Sequence, residues 1–367
     1  MRDYNIKKCI VPFENREECS VISDMEIIPV KNLNEVVDYL NGVINIEAFE
    51  MSSYENQDDD EEFTMDFSDI KGQEGLKRAL EVAAAGSHNL LIIGPPGSGK
   101  TMAARRLPTI LPKLSFEEAI EVTKIYSIAG LLKSKSLIEE RPFRAPHHTA
   151  SNISLIGGGR IPKPGEVSLA HNGVLFLDEL PEFQKNVLEV LRQPIEDGVV
   201  NISRVNATIT YPAKFMFIAS MNPCPCGYYG DPLHECTCSQ GSIDRYLGKI
   251  SNPLLDRIDI HIEVLPVEYK DLHDDTKSES SHVIRERVKR AREIQLERYK
   301  KDKIFNNSQI LTKDIKKYCK LSPTSEKIMK HAFLKYKFSG RTYNKLLKVS
   351  RTLADLDGKE NIEDIHV

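Results

Sequence analysis

GPPGSGKT, residues 94–101, sets glycines, a lysine and a threonine at the spacing G-x-x-x-x-G-K-[ST]. Gly94, Gly97 and Gly99 let the chain turn its amides inward around phosphate oxygens, with Pro95, Pro96 and Ser98 completing the loop. Lys100 would neutralise β- and γ-phosphates and Thr101 would ligate Mg²⁺. An apolar run, NLLIIG, precedes the loop and a helical pattern follows, so a helix N-terminus adds the positive end of its dipole. A Gly/Pro-rich turn matching by chance would not need that strand and helix. A second apolar run, VLFLDE (174–179), delivers Asp178 at a strand end, suited to hold Mg²⁺, with Glu179 beside it to activate water. Alone it reads equally as a strand ending in solvated acids. The phosphate loop upstream favours hydrolysis.

Three further residues belong to this chemistry by position. Asn222 follows the apolar strand KFMFIAS, where an amide can hold a lytic water; Asn222-Pro223 is also turn-like, and both readings can hold. Arg257, in NPLLDRIDI, lies between a short helix and a strand, where an arginine can stabilise charge on a phosphate. Arg341, in FSGRTYNKL, starts a helix.

The stretch SMNPCPCGYYGDPLHECTCS (220–239) holds four of the seven cysteines. Cys224 and Cys226 form one Cys-x-Cys pair, and Cys236 and Cys238 another, nine residues on. Residues two apart in a strand leave on the same face; Pro225 and Gly227 can bend the first pair, and YYGDPLHE supplies turn formers. Four thiolates in a tetrahedron suit zinc, at about 2.3 Å. The spacing departs from the commoner C-x₂-C, and a disulfide pair or unliganded thiols remain alternatives. A site of four cysteines has no open position for chemistry, so zinc here reads as a structural clip.

These residues need a scaffold. At 367 residues, 40% of them hydrophobic, the chain is long enough for two domains. GVLFLDEL and KFMFIAS are continuously apolar, as in parallel sheets. GLKRALEVAAAG, residues 99–110, SFEEAIEVTKIYSIAGLL (with Ser115 and Glu118 at capping-box spacing) and FQKNVLEVLRQPIEDG read as helices. VVNISRVNATITY reads as a hairpin. From about residue 282 the pattern is helical throughout. The expected fold class is therefore α/β: a core with a parallel sheet, residues 66–266, then a C-terminal helical lid, 281–367, joined by a linker at 267–280. NQDDDEEF marks an acidic linker at 56–65. SVISDMEIIPV and LNEVVDYLNG, within residues 1–55, suggest a strand and a helix. Residues 1–69 carry 18 Asp/Glu against 5 Lys/Arg, and residues 281–351 carry 21 Lys/Arg against 6 Asp/Glu. The basic end attracts polyanions, although solvated helical faces explain the same composition. MRDYNIKKCI lacks the apolar run of a signal peptide, and no stretch reaches the ~18 apolar residues of a membrane span. A cytoplasmic protein is expected, where disulfides are disfavoured.

Taken together, the residues resemble the AAA+ ATPases, and more closely the magnesium-chelatase I-subunit branch. The order matches: phosphate loop, Asp-Glu strand, hairpin, Asn strand, LLDR, then an arginine in the helical lid. FRAPHHTASNISLIGGG (143–159) and GEVSLAHNGVLFLDEL (165–180) are close to that branch's wording. SGRTYNKLLKVSRTLADL with NPCPCGYYGD narrows the resemblance to the ComM/YifB-type bacterial subgroup, over about residues 66–357. It implies that Lys100 and Thr101 are Walker A, Asp178 and Glu179 Walker B, Asn222 sensor 1, Arg257 the arginine finger and Arg341 sensor 2. It also implies a homo-hexameric ring in which the finger serves ATP in the next protomer, and a DNA branch-migration helicase acting in natural transformation. The family usually begins with a Lon-protease-like domain, of which residues 1–55 look like a remnant without a peptidase pair, and by the same comparison the C-terminal helix stops early.

In such a ring, the Gly-rich SLIGGGRIPKPGE, with Arg160 and Lys163, and the hairpin tip at Arg204 are candidates for pore contact with phosphates; packing against neighbouring subunits is the alternative. Adjacent His147 and His148, in an extended segment, should point to opposite sides and share no ion. Besides the DNA motor, two other functions fit: a chelatase-like motor remodelling a protein partner, and a truncated ATP-binding module.

Overall fold

The first strand of the sheet, β1 (Leu90–Ile93), feeds directly into the phosphate loop. The structure is a computed structural model and describes residues 6–16, 19, 25–49, 65–132, 137–159, 162–204, 207–267, 278–302 and 304–367. Residues 56–64 of the expected acidic linker and most of the 267–280 linker lie outside the described residues, as does Arg160. The contacts divide the chain into two units, residues 1–62 with 115–140, and residues 63–114 with 141–367.

In the first unit Lys8–Pro12 pairs in parallel with Glu26–Val30, burying Val11, Ile27, Ile28 and Val30. The expected strand and helix of this segment are present. The helix, Leu33–Leu40, is capped by Asn32, whose side chain accepts from the Glu35 amide. Helix Phe116–Ala129 begins with the capping box read from Ser115 and Glu118, and Gly130 ends it at φ 72°.

The second unit is built on a five-stranded, wholly parallel sheet. Its other strands are β2 (Phe143–Arg144), β3 (Val174–Leu177), β6 (Met216–Met221) and β7 (Ile260–Glu263), and the order across it is β7-β1-β6-β3-β2. Each central strand is apolar on both faces because both are covered. Leu90, Ile92, Val174, Phe176, Met216 and Ile218 face one core, shared with helix α1 (Glu74–Gly86). Leu91, Leu175, Leu177, Phe217 and Ala219 face the other. Alternate residues of one strand thus serve opposite layers. The expected hairpin is β4 (Val199–Arg204) with β5 (Ala207–Pro212), in register Val199↔Pro212 to Arg204↔Ala207.

Helix α2 (Lys100–Arg106) ends sooner than expected, tightening into a 3₁₀ turn over Leu107–Ile110, where Pro108 lacks an amide to donate. The single helix expected over 183–198 is two, α3 (Lys185–Val190) and α4 (Arg192–Asp197). Pro194 cannot donate to the Val190 carbonyl, and its ring opposes that carbonyl. The helical region follows with α6 (Ser281–Tyr299), after α5 (Gln240–Leu247), then α7 (Pro323–Tyr336) and α8 (Gly340–Leu356). TKDIKKYC forms only a 3₁₀ turn and one helical turn. On α6, Ile284, Val288, Ala291, Gln295 and Tyr299 are buried at spacings of three and four. His88 bonds Thr352 at 2.7 Å, and Lys345 Nζ donates to the Ile258 carbonyl at 2.8 Å, fastening α8 beside the amino ends of β1 and β7.

Candidate functional site

Parallel strands put their carboxyl ends on one edge, where ligands bind in open α/β sheets. Here β1, β6 and β3 are consecutive neighbours, so the residues that follow them converge. Lys100 Nζ donates to the carbonyls of Gly94 and Pro95, each at 2.8 Å, and to Asn222 Oδ1 at 3.2 Å. Burial lowers the pKa of this ammonium, opposed by the charges of Asp178 and Glu179. Thr101 Oγ1 donates to Asp178 Oδ2 at 2.7 Å. Asp178 also accepts from the Ser220 hydroxyl and, at 3.1 Å, from the Glu179 amide. The peptide bond between Lys100 and Thr101 joins two hydrogen-bonded sets, Lys100–Asn222 and Thr101–Asp178–Ser220, into one group.

The loop's glycines have two jobs. Gly97 and Gly99 sit at φ 75° and 83°, where a Cβ is strained, while a Cβ on Gly94 would lie 2.5 Å from the Val264 carbonyl oxygen. The Gly94 amide donates to the Met221 carbonyl at 3.2 Å. Ser98 Oγ donates to the Pro95 carbonyl at 2.8 Å, and Pro96 packs against Gly227.

Glu179 is exposed and has a left-handed backbone, φ 54° and ψ 50°. For a residue with a Cβ that conformation costs about 1–2 kcal/mol, and such outliers cluster at functional sites. It turns the chain sharply at the end of β3. His148 Nδ1 lies 3.7 Å from its carboxylate.

The two arginines are elsewhere. Arg257 precedes β7, which pairs in register with β1, Ile260 opposite Leu90. It therefore lies at the amino edge, separated from the phosphate loop by the length of a four-residue strand, about 13 Å. Its Nη1 donates to the Pro253 carbonyl at 2.7 Å, its Nη2 is ion-paired with Glu196, and its Nε is buried with no partner among the described residues. Arg341 Nη2 lies 3.7 Å from the other oxygen of Glu196. One carboxylate thus stands between both arginines, at the end of α4.

The four cysteines converge. Their Sγ atoms all lie within 4.8 Å of one another, with Cys224 3.3 Å from Cys226 and 3.7 Å from Cys236, and Cys226 3.6 Å from Cys236. A tetrahedron with 2.3 Å bonds has ligand atoms about 3.8 Å apart, so the set fits zinc. These four are free thiols, and their separations far exceed a disulfide bond of about 2.05 Å. The Tyr228 amide, the strongest of several donors, brings the Cys226 thiol down to about 6.

The expectation that His147 and His148 diverge fails. The chain turns after β2, the Ala150 amide donating to the His147 carbonyl at 2.9 Å, and the rings lie 4.0 Å apart. Among the described residues these cysteines are the one cluster of three or more His, Cys, Asp or Glu whose ligand atoms lie close enough together to hold an ion. Lys163 is exposed in a two-residue ladder, Gly158 opposite Lys163. Arg204 closes the hairpin ladder opposite Ala207, and its side chain lies outside the described residues. Tyr211 Oη donates to the Pro162 carbonyl at 3.0 Å, tying the hairpin to the Gly-rich insertion.

Sequence reasoning missed four residues. Ser220 had a signal, since it leaves β6 on the same face as Asn222. Tyr246 on α5 takes a hydrogen bond from the Asn222 amide, although burial is what pushes its hydroxyl up to about 12. His148 was noticed but not linked to Glu179. Glu196 had no local signal.

The family model described as magnesium chelatase, subunit ChlI, matches residues 66–272, and the model for the ChlI C-terminal region matches residues 278–367. Competence protein ComM of Haemophilus influenzae is 45% identical over 363 residues, which are 98% of this chain and 70% of that protein. YifB of Escherichia coli is 41% identical over the same shares. The magnesium-chelatase 38 kDa subunit of Rhodobacter capsulatus is 27% identical over 174 residues, 43% of this chain and 50% of that protein.

Proposed function

The chain belongs to the magnesium chelatase ChlI family of AAA+ ATPases, in its ComM/YifB subgroup, and from that premise we propose that it is a ring-forming ATP-driven motor that moves branched or single-stranded DNA. The observation that carries the ATPase half is the connected group at the carboxyl edge, Lys100–Asn222 and Thr101–Asp178, with Glu179 turned out beside it. The hydroxyl of Thr101 and the carboxylate of Asp178 are hard oxygen donors, which suit Mg²⁺. Bound with ATP, the ion neutralises charge on the phosphates.

The chain's own residues do the rest. Lys100 exchanges its carbonyl partners for phosphate oxygens. The loop amides hold the phosphates, and Ser220 keeps the Asp178 carboxylate oriented. Asn222 holds the attacking water, and Glu179 takes its proton. Arg257 and Arg341, at the far edge, meet the nucleotide of a neighbouring copy and stabilise charge there. A homo-hexamer is the assembly this implies. Each Glu179 then works with an Arg257 from next door.

The DNA half rests on weaker but independent supports. The helical region is rich in Lys and Arg, the hairpin and the Gly-rich insertion are joined through Tyr211, and a relative matching along 98% of this chain is named a competence protein. The magnesium-chelatase subunit matches less than half of it, which favours DNA over a protein partner. No helix among the described residues is long and apolar enough to cross a membrane, and a cytoplasmic location follows from the proposed substrate. The four cysteines hold one structural Zn²⁺. The decisive experiment is unwinding of a four-way junction by the purified protein with ATP. Unwinding lost in Lys100→Ala supports the motor; ATP hydrolysis without unwinding or DNA stimulation would leave the ATPase and remove the helicase.

A further inference from the structure

We propose that metal occupancy of the four-cysteine cluster sets nucleotide affinity at the phosphate loop, so that the cluster is a metal-linked regulatory site. The inference rests on the zinc reading above and extends it. The segment Met221 to Gly227 contains two of the four thiols and touches the phosphate loop at three points. The Met221 carbonyl accepts from the Gly94 amide at 3.2 Å. Asn222 Oδ1 accepts from Lys100 Nζ at 3.2 Å. Gly227, at φ 90°, lies so close to the Pro96 ring that a Cβ there would sit 2.5 Å from Cδ and 2.8 Å from Cγ.

The turn carrying these contacts is closed by the Gly227 amide on the Cys224 carbonyl, at 3.0 Å, while the Tyr229 amide donates to Cys224 Sγ at 3.3 Å. Within the cluster, Cys224 and Cys226 reach Cys236 at 3.7 and 3.6 Å, and all four sulfurs lie within 4.8 Å. Just beyond Cys236 and Cys238, α5 brings Tyr246 to the Asn222 amide. A metal bridging the two pairs therefore fixes Asn222 from both sides and holds Gly227 against Pro96. Without it the turn must keep four thiols together with no ion, and the loop loses a rigid wall. Linkage makes the effect reciprocal: nucleotide raises metal affinity by the same factor.

The test uses the whole chain, Zn²⁺ as the metal and a fluorescent ADP analogue with Mg²⁺, with zinc counted by elemental analysis. Chelation of zinc is expected to weaken nucleotide binding about tenfold, within the usual range of site–site coupling, and added Zn²⁺ to restore it. Cys236→Ser with Cys238→Ser should match the chelated protein. Gly227→Ala should keep one zinc per chain yet weaken the nucleotide to a similar degree, and it carries the test if the cysteine variant does not fold. Equal nucleotide affinity with and without zinc, or unchanged affinity in Gly227→Ala, overturns the coupling and leaves the zinc reading standing. A folded protein that takes up no zinc overturns the zinc reading, and this inference with it.

Discussion

In the proposed mechanism the two edges of the parallel sheet carry opposite halves of one chemistry. At the carboxyl edge the residues are joined to each other: Lys100 to Asn222, Thr101 to Asp178, Asp178 to Ser220. At the amino edge Arg257 and Arg341 are joined only through Glu196, a carboxylate in the place where a phosphate would be attractive to both. The carboxyl edge is prepared to bind nucleotide by itself. The amino edge has charge to offer and, in its own chain, no phosphate within reach. In the proposed ring, a second copy meeting the first edge to edge would unite what one sheet separates by a strand's length. Oligomerisation is on this view a condition of catalysis but not of ATP binding.

That contrast can be broken by experiment. The largest effect expected is from Arg257→Ala, which should lower kcat for ATP on the order of 10³-fold while leaving the nucleotide Kd of the isolated chain unchanged, as read by titration. A parallel loss of binding would place the arginine in its own chain's site. Glu179→Gln should slow hydrolysis on the order of 10²-fold, again with binding intact, in single-turnover assays; hydrolysis at the wild-type rate would remove it as the base. Next, Lys100→Ala mixed with Arg257→Ala should recover activity above the sum of the two alone, because some interfaces then pair an intact loop with an intact arginine. No recovery at any ratio would argue that both residues act within one chain. The smallest effect belongs to Glu196→Gln. An exposed ion pair is worth under about 1 kcal/mol, so Tm should barely move, while ATPase activity falls about threefold as Arg257 loses the contact that aims it. A drop as large as that of Arg257→Ala would make Glu196 part of the chemistry instead.

Much of the carboxyl edge was legible beforehand because its signals are contiguous. The phosphate loop is eight successive residues, and Asp178 and Glu179 end a four-residue apolar strand. The capping box of Ser115 and Glu118 and the hairpin at 199–212 are equally local. The break at Pro194 was readable too, since a proline inside a helical pattern should end or kink it. The His147–His148 pair misled because alternation holds only in an extended chain, and the chain turns there.

The sequence by itself determined which side chains are proposed to bind phosphate, hold Mg²⁺ and activate water, and which elements carry them, because glycine's freedom, apolar runs and cap residues act over a few positions. Only the tertiary structure decided strand order, which puts the Asn222 strand between those of Lys100 and Asp178. It also decided that Glu196 faces Arg257, 61 positions away, and that Cys236 closes on Cys224 and Gly227 on Pro96. Those contacts join residues far apart in the chain, and they form only when burying both faces of the sheet fixes where each strand end arrives.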